Sequence, residues 1–145
     1  MPLTGDYEPS SAKWARDQVE EYESSGGTNG NTLRGVPVVV ITSLGASSGK
    51  LRKNPVMRVE HGGTYAAVAS KGGTPDDPGW ARNMRAHALV ELQDGPGKRD
   101  YTAHEASGGE RELWWARALE VWPDYAEYQA KTDRQIPVFV LEPVT

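Results

Sequence analysis

The chain has 145 residues, enough for one domain of common size, and a domain near this length buries about 70% of the surface its unfolded chain exposes. With 37% hydrophobic and 25% charged residues it is ordinary in composition, which argues against wholesale disorder, and a formal net charge of −4 gives no electrostatic reason to expect a nucleic-acid partner. There is no cysteine, so disulfides, thiolate nucleophiles and cysteine metal sites are excluded; His61, His87 and His104 lack the spacing of a helical metal pair, and no metal site is expected.

The opening stretch MPLTGDYEPSSAKWARDQVEEYE carries acids early and no long apolar run. Neither a signal peptide nor a membrane-spanning helix is expected from it, and the cytoplasm is the default compartment. Over 11–23, Trp14, Ala15, Val19 and Tyr22 recur at three- and four-residue steps, which predicts an amphipathic helix. Its expected role is to cover one side of the core; a lid or membrane-surface role is the alternative, and the acidic polar face weighs against a membrane. The tract SSGGTNGNT at 24–32 reads as a flexible linker, making 1–32 an N-terminal helix and linker and 33–145 the body of a single domain.

The run VPVVVITS at 36–43 is β-branched, short for a helix and bounded by Gly35 and Gly45, and predicts a buried strand at the centre of a sheet. VMRVE at 56–60 alternates, Gly62 and Gly63 supply a reversal, and TYAAVAS at 64–70 returns as a partner strand. Asp77 is a natural N-cap and Pro78 a natural first residue for a short helix over 78–86, with Arg82 and Arg85 suiting its C-terminal half. A second hairpin pairs 88–93 with 99–105 through DGPG at 94–97. Ser107 and Glu110 form a capping-box pattern ahead of a helix carrying Leu113, Trp114, Ala118 and Val121; Pro123 can start another, and IPVFVLE closes the chain as a last strand. About six strands and three to four helices, joined by short hairpin links, predict an α+β fold built on a mainly antiparallel, partly closed barrel.

Two loops suit anions. GASSGK at 45–50 has three residues between its glycines where a phosphate-binding P-loop has four, and Leu51 follows Lys50, so nucleoside triphosphate hydrolysis is excluded. As a loop after a strand it still offers N–H groups and hydroxyls, with Lys50, Arg52 and Lys53 close by; a solvated basic turn is the plainer reading on spacing alone. SKGGTPDDP at 70–78 leads into a helix N-terminus, which attracts anions, and Lys71 adds a charge; the plainer reading is a strand-to-helix connection. Trp122, Tyr125 and Tyr128 sit three apart and would share a face of any helix spanning them. Such a stripe packs a core, although tyrosine hydroxyls can also meet a bound substrate. Of the adjacent Trp114 and Trp115, one is expected to pack inward. No Ser/His/Asp arrangement or carboxylate pair supports hydrolysis.

In LGASSGKLRKNPVM, VASKGGTPDDPGWARN and WPDYAEYQAKTDRQIPVFVLEP, taken in order, the chain over about 14–143 resembles the deazaflavin-dependent nitroreductases of actinobacteria, which use coenzyme F420. The resemblance implies a split β-barrel and a reduced deazaflavin that passes hydride to quinones, nitro compounds or other activated double bonds. By position it puts Ala46, Ser47 and Ser48 against the cofactor, together with Arg52, Asn54, Pro55, Val56 and Met57. It puts Val68, Ala69, Ser70 and Lys71 there too, and the stretch from Gly79 through Trp80 to Asn83, with Lys50 adding charge for the tail. Tyr125 and Tyr128 fall on the substrate side, Tyr125 closing over the ring, and with Ser70 they are the catalytic candidates.

On this reading Arg52 and Lys71 hold the anionic tail, Ser70 and the loop backbone orient the ring, and the proton comes from solvent or a tyrosine. Ala46 and Ser47 stand where many relatives carry basic residues, and Met57 and Trp122 differ from the nitroimidazole-reducing relatives, which argues against that particular activity. The rivals are an FMN-binding split-barrel oxidoreductase and a non-catalytic deazaflavin carrier. Peripheral contact with the inner face of the plasma membrane would suit quinone chemistry, and nothing in the residues sets an oligomeric state.

Overall fold

The computed structural model describes residues 3–144; the outer limits of the expected domain, at 1 and 145, lie outside the described residues. The chain runs α1 (Lys13–Ser24), β1 (Thr32–Leu33), β2 (Val36–Leu44), β3 (Leu51–Met57), β4 (Val59–His61), β5 (Thr64–Val68), a 3₁₀ turn (Lys71–Gly73), α2 (Gly79–Ala86), β6 (Leu89–Asp94), β7 (Gly97–Glu105), α3 (Gly108–Val121), α4 (Tyr125–Ala130) and β8 (Val138–Pro143). The strands join in the order β1-β2-β6-β7-β8-β5-β4, with β3 pairing on β2, and every pair is antiparallel. The sheet curls into an open half-barrel of the split-barrel type.

Alternation along the strands sorts the core into two faces. Val39 and Ile41 of β2, Ala67 of β5, Leu92 of β6 and Phe139 and Leu141 of β8 point to one side, where α2 fills the space with Trp80, Ala81 and Met84. Trp80 meets Phe139 edge-on at 6.0 Å. Their neighbours point the other way: Val38 and Val40 pack under Val19 and Tyr22 of α1, while Ala66, Val68, Val138 and Val140 pack under Trp114 and Ala118 of α3 and Tyr125 of α4. Trp115, beside the buried Trp114, is half-buried and stacks near Tyr125.

The structure departs from the sequence reading at several points. Two further strands, β1 and β3, complete a set of eight. The basic stretch at 51–57 is not a solvated turn: it pairs with β2 from Leu51 opposite Leu44 to Met57 opposite Val38. β3 has its ladder on β2 alone, so Pro55 is tolerated, and Arg52 and Lys53 are neutralised by Glu8 at 3.0 Å and Glu23 at 2.6 Å. Val56 and Met57 therefore belong to β3, and only 59–61 turns back onto β5. Neither expected cap forms: the Asp77 carboxylate is taken by Arg85 and Arg134, and Glu110 faces His104. α2 accordingly starts at Gly79, one residue after the expected Pro78. No described helix is long and apolar enough to cross a membrane.

The glycine-rich tract after α1 is pinned rather than loose. Tyr22 Oη accepts the Gly95 N–H at 2.7 Å and donates to the Gln93 carbonyl at 3.3 Å, and Gln18 Nε2 donates to the carbonyls of Gly30 and Thr32 at 2.9 Å. Gly27, at φ 82°, lies so close to the β6–β7 turn that a Cβ there would come within 2.5 Å of Gly95 Cα, whereas at Gly26, φ 64°, nothing lies within 4 Å. Gly26→Ala should cost about 1 to 2 kcal/mol, the price of a left-handed L-residue. Gly27→Ala should cost that and about 1 to 3 kcal/mol more from the overlap. Denaturant melts of the two variants check this; equal losses would mean that α1 does not lock onto the hairpin.

Candidate active site

A cavity of about 990 Å³ opens where α1, β3, α4 and the start of α2 come near one another. Its strand wall is Asn54, Pro55, Val56 and Met57 of β3 with Val68 of β5. The β2–β3 loop contributes Gly45, Ala46, Ser47 and Ser48, and the segment after β5 contributes Ser70, Lys71, Gly79, Trp80, Arg82 and Asn83. Trp122, Tyr125 and Tyr128 form an aromatic end, to which the β1–β2 turn adds Leu33 and Arg34. Nearly every residue expected at the site thus meets at one cavity. The exceptions are Lys50, exposed further along its loop, and Ala69 and Ala81, fully buried in the concave core.

Both anion-competent loops are braced by polar side chains. Asn83 Oδ1 accepts the Ala46 N–H at 2.9 Å and its Nδ2 donates to Ser43 Oγ at 3.3 Å, so an amide on α2 holds the β2–β3 loop in place. The N–H groups of Ser47 and Ser48 have no partner among the described residues. Arg134, outside every regular element, donates to the carbonyls of Ala69, Ser70 and Thr74 and to the Asp77 carboxylate, all within 3.2 Å. It fixes the whole path from β5 to α2. Gly73 completes the fit, since a Cβ there would come within 2.6 Å of the Tyr128 carbonyl oxygen.

The charges around the cavity differ from the expected set. Arg52 lines it, but its guanidinium is occupied by Glu8. Lys71 and Arg82 are exposed at its edge with no carboxylate partner among the described residues. Arg34 and the N-terminal wall of Glu8, Ser10, Trp14 and Ala15 were not assigned to the site from sequence; Trp14 is 59% exposed at this rim. Arg82, within the 79–83 stretch expected at the cofactor, is a cation one turn into a helix that begins at an anion loop and so lies near that loop.

Trp122, Tyr125 and Tyr128 do meet, although no single helix spans them. The residue before Pro123 is steered to extended backbone, so α3 ends at Val121 and Trp122 sits in the break. Trp122 Nε1 donates to Tyr128 Oη at 3.3 Å, and the Tyr125 and Tyr128 rings meet edge-on at 6.1 Å. Tyr125 is 5% exposed and Ser70 8%, yet neither hydroxyl has a hydrogen-bond partner among the described residues. Burial holds the Tyr125 phenol well above its ordinary pKa of 10.0, so it remains protonated and able to donate.

A curled antiparallel half-barrel with braced anion loops at one side of a cavity and a tyrosine-bearing aromatic end at the other has the form of a protein that binds a cofactor and a smaller reactant together. The sequence model of the F420H2-dependent quinone reductase family matches residues 14–143. An F420H2-dependent quinone reductase of Mycobacterium tuberculosis is 32% identical over 126 residues, covering 83% of each chain. Among solved structures, an F420H2-dependent reductase is 55% identical with a TM-score of 0.70, covering 73% of this chain and 94% of its own. A second, described as a domain-swapped dimer, is 50% identical with a TM-score of 0.73, covering 92% of this chain and all of its own. At 15% identity and a TM-score of 0.54, the heme storage protein HutZ of Vibrio cholerae shares the fold alone. The chain belongs to the F420H2-dependent quinone reductase family, and it is an oxidoreductase whose hydride donor is the reduced coenzyme F420.

Arg134 offers a direct test of how the site is held. Arg134→Ala should remove four contacts from the 69–77 segment, cost about 3 kcal/mol because Asp77 keeps only Arg85 and three carbonyls lose a charged donor, and weaken F420 binding even under conditions where the protein stays folded. Arg134→Lys should recover stability only in part, one ammonium being unable to span four acceptors. Normal F420 affinity in folded Arg134→Ala would show that the loop path is set by something else.

Proposed function

We propose that this cavity holds F420 with its anionic tail against the two braced loops, and that a quinone enters at the aromatic end. The observation that carries the reading is the meeting at one cavity of two braced loops with the hydroxyls of Ser70 and Tyr125, neither of which has a protein partner among the described residues, so that both are free to bond a ligand. The volume, near 990 Å³, lies at the upper end for ligand sites, as a ring with a long tail requires. Lys71, Arg82 and the free N–H groups of Ser47 and Ser48 supply the donors for phosphate and carboxylate groups, and Arg52 adds to them when Glu8 yields.

When bound, reduced F420 supplies a hydride; in all, the quinone gains two electrons and two hydrogens and the cofactor loses the same. Ser70 Oγ and the Ser47–Ser48 backbone orient the bound ring and tail. Val68, Met57 and Tyr125 exclude water from the reacting face. Tyr125 Oη, held neutral, donates to the acceptor oxygen, with Tyr128 beside it. Nitroaromatic compounds present oxygens of similar polarity and are the second acceptor class. The exposed Trp14 puts an aromatic anchor at the rim, which supports peripheral contact with a membrane as the route by which a hydrophobic quinone arrives.

Anaerobic incubation with reduced F420 and menadione should restore the absorbance of the oxidised cofactor, and FMN should bind far more weakly than F420. No turnover with tight F420 binding would make the protein a carrier. Tyr125→Phe should leave the melting temperature unchanged or raised and lower kcat and kcat/KM together by about 10- to 100-fold, the scale of one charge-assisted hydrogen bond made in the transition state. Lost stability with normal turnover would return Tyr125 to the core.

Lys71→Ala and Arg82→Ala should each weaken F420 binding by about tenfold or more and flatten its salt dependence. Arg52→Ala should do less, since Glu8 already offsets that charge. A titration in which only the Arg52 variant loses affinity would reverse this assignment.

A further inference from the structure

The β1–β2 connection is a two-residue hairpin turn, Arg34-Gly35, with Leu33 opposite Val36 and both turn residues at positive φ, 53° and 79°. Asparagine or aspartate followed by glycine is the favoured pair for such a turn, because an L-residue with a long side chain is strained at its first position. Arg34 and Lys71 are the two non-glycine residues at positive φ among the described residues, and both line the same cavity. Strain of this kind persists where the side chain has a task that the surrounding structure enforces.

The position of Arg34 says what the task is. Leu33 and Val36, flanking the turn, pack against the cluster that holds Trp122, Tyr125 and Tyr128, so the hairpin delivers the Arg34 side chain to the aromatic end of the cavity. Its Nη1 donates to Tyr128 Oη at 3.4 Å, and it has no carboxylate partner among the described residues. Tyr128 Oη receives a second donor, Trp122 Nε1, at 3.3 Å. With both lone pairs engaged, the phenol can only donate its proton outward. We propose that Arg34 is an acceptor-binding residue: its guanidinium and the Tyr128 hydroxyl, aimed by Arg34 and Trp122, form a two-donor seat for the carbonyl oxygen of a quinone.

The inference rests on the quinone reading above and deepens it. A quinone that accepts a hydride carries the two new electrons onto its carbonyl oxygen as an oxyanion, reduced F420 being oxidised, and one proton at that oxygen completes the hydroquinone. A cation already in place favours that charge as it develops. The same seat suits the oxygens of a nitro group but offers nothing to an acceptor without a polar oxygen, which makes Arg34 a determinant of specificity.

The test is Arg34→Asn beside Arg34→Lys. Asparagine relieves the turn, so its variant should melt at the same or a higher temperature and bind F420 as wild type does. Its kcat/KM for menadione should nevertheless fall about tenfold or more, the loss expected for one charged hydrogen bond. The lysine variant, keeping the charge without the fork, should fall between. A second readout avoids turnover altogether: menadione quenching of tryptophan fluorescence in the cofactor-free protein should show a Kd raised several-fold in Arg34→Asn. Unchanged kcat/KM and unchanged quenching in a well-folded Arg34→Asn would leave Arg34 a turn residue and overturn the proposal. If wild type itself fails to oxidise reduced F420 with menadione, the quinone reading fails, and the quenching comparison still decides whether Arg34 seats a quinone.

Discussion

Strands β2, β5 and β8 are buried at consecutive positions, with Val38, Val39, Val40 and Ile41 in β2 and Val138, Phe139, Val140 and Leu141 in β8 all at 2% exposure or less. A sheet made of such strands cannot present either face to water. The concave side is filled by one amphipathic helix, α2, and the convex side needs two covers, α1 over β2 and the α3–α4 pair over β5 and β8. The cavity lies around β3, bordered by α1 on one hand and α4 on the other, so its walls are the edges of helices placed there by the core. Rigid elements supply the positions, and the loops between them supply the chemistry.

Polar groups in this protein divide into those spent on holding the scaffold and those left over. Tyr22 Oη makes two bonds at the β6–β7 turn, Tyr65 Oη donates to Asp94, Asn83 ties the β2–β3 loop to α2, and Arg134 ties the β5–α2 segment to itself. Against that background Ser70 and Tyr125 stand out, because their hydroxyls line the cavity without a partner among the described residues, whereas those of Tyr22 and Tyr65 are bonded. Asn83 and Ser70 both line the cavity, yet they differ in kind: one shapes the wall and the other is available to a ligand.

The sequence announced most of this. Short apolar, β-branched runs bounded by turn residues located β2, β5, both hairpin reversals and the last strand, since strands buried on both faces read as continuous apolar segments too short for a helix. β3 was hidden because Arg52, Lys53 and Pro55 look like a loop until Glu8 and Glu23 arrive from the N-terminal segment to neutralise it. The caps misled for a related reason: Asp77 and Glu110 have the right spacing for helix starts, but distant partners, Arg134 and His104, compete for the same carboxylates. The residues that the resemblance named lie far apart along the chain yet line one cavity, because loop motifs keep their order while the fold gathers them. It could not find Arg34, whose distinction is a backbone angle and a contact 94 residues away.

An acidic protein that binds a polyanionic cofactor presents an apparent contradiction, which distance resolves. At physiological ionic strength charges are screened beyond about 8 Å, so the net charge of −4 says little about the field inside one cavity. What matters is which cations face it and which of those are already paired. Arg52 and Lys53 are offset by Glu8 and Glu23, and Arg85 by Asp77 and Glu105. Lys71 and Arg82 remain on the loop side and Arg34 on the aromatic side, each unneutralised by a carboxylate among the described residues. On the proposed placement of cofactor and quinone, the pairing leaves positive charge at the two places where the reaction needs it, under a tail that is anionic from the outset and beside an oxygen that becomes so only as hydride arrives. Because the second charge is transient, a cation held there by a strained turn acts mainly on the transition state, and its effect falls on rate more than on the affinity of the resting complex.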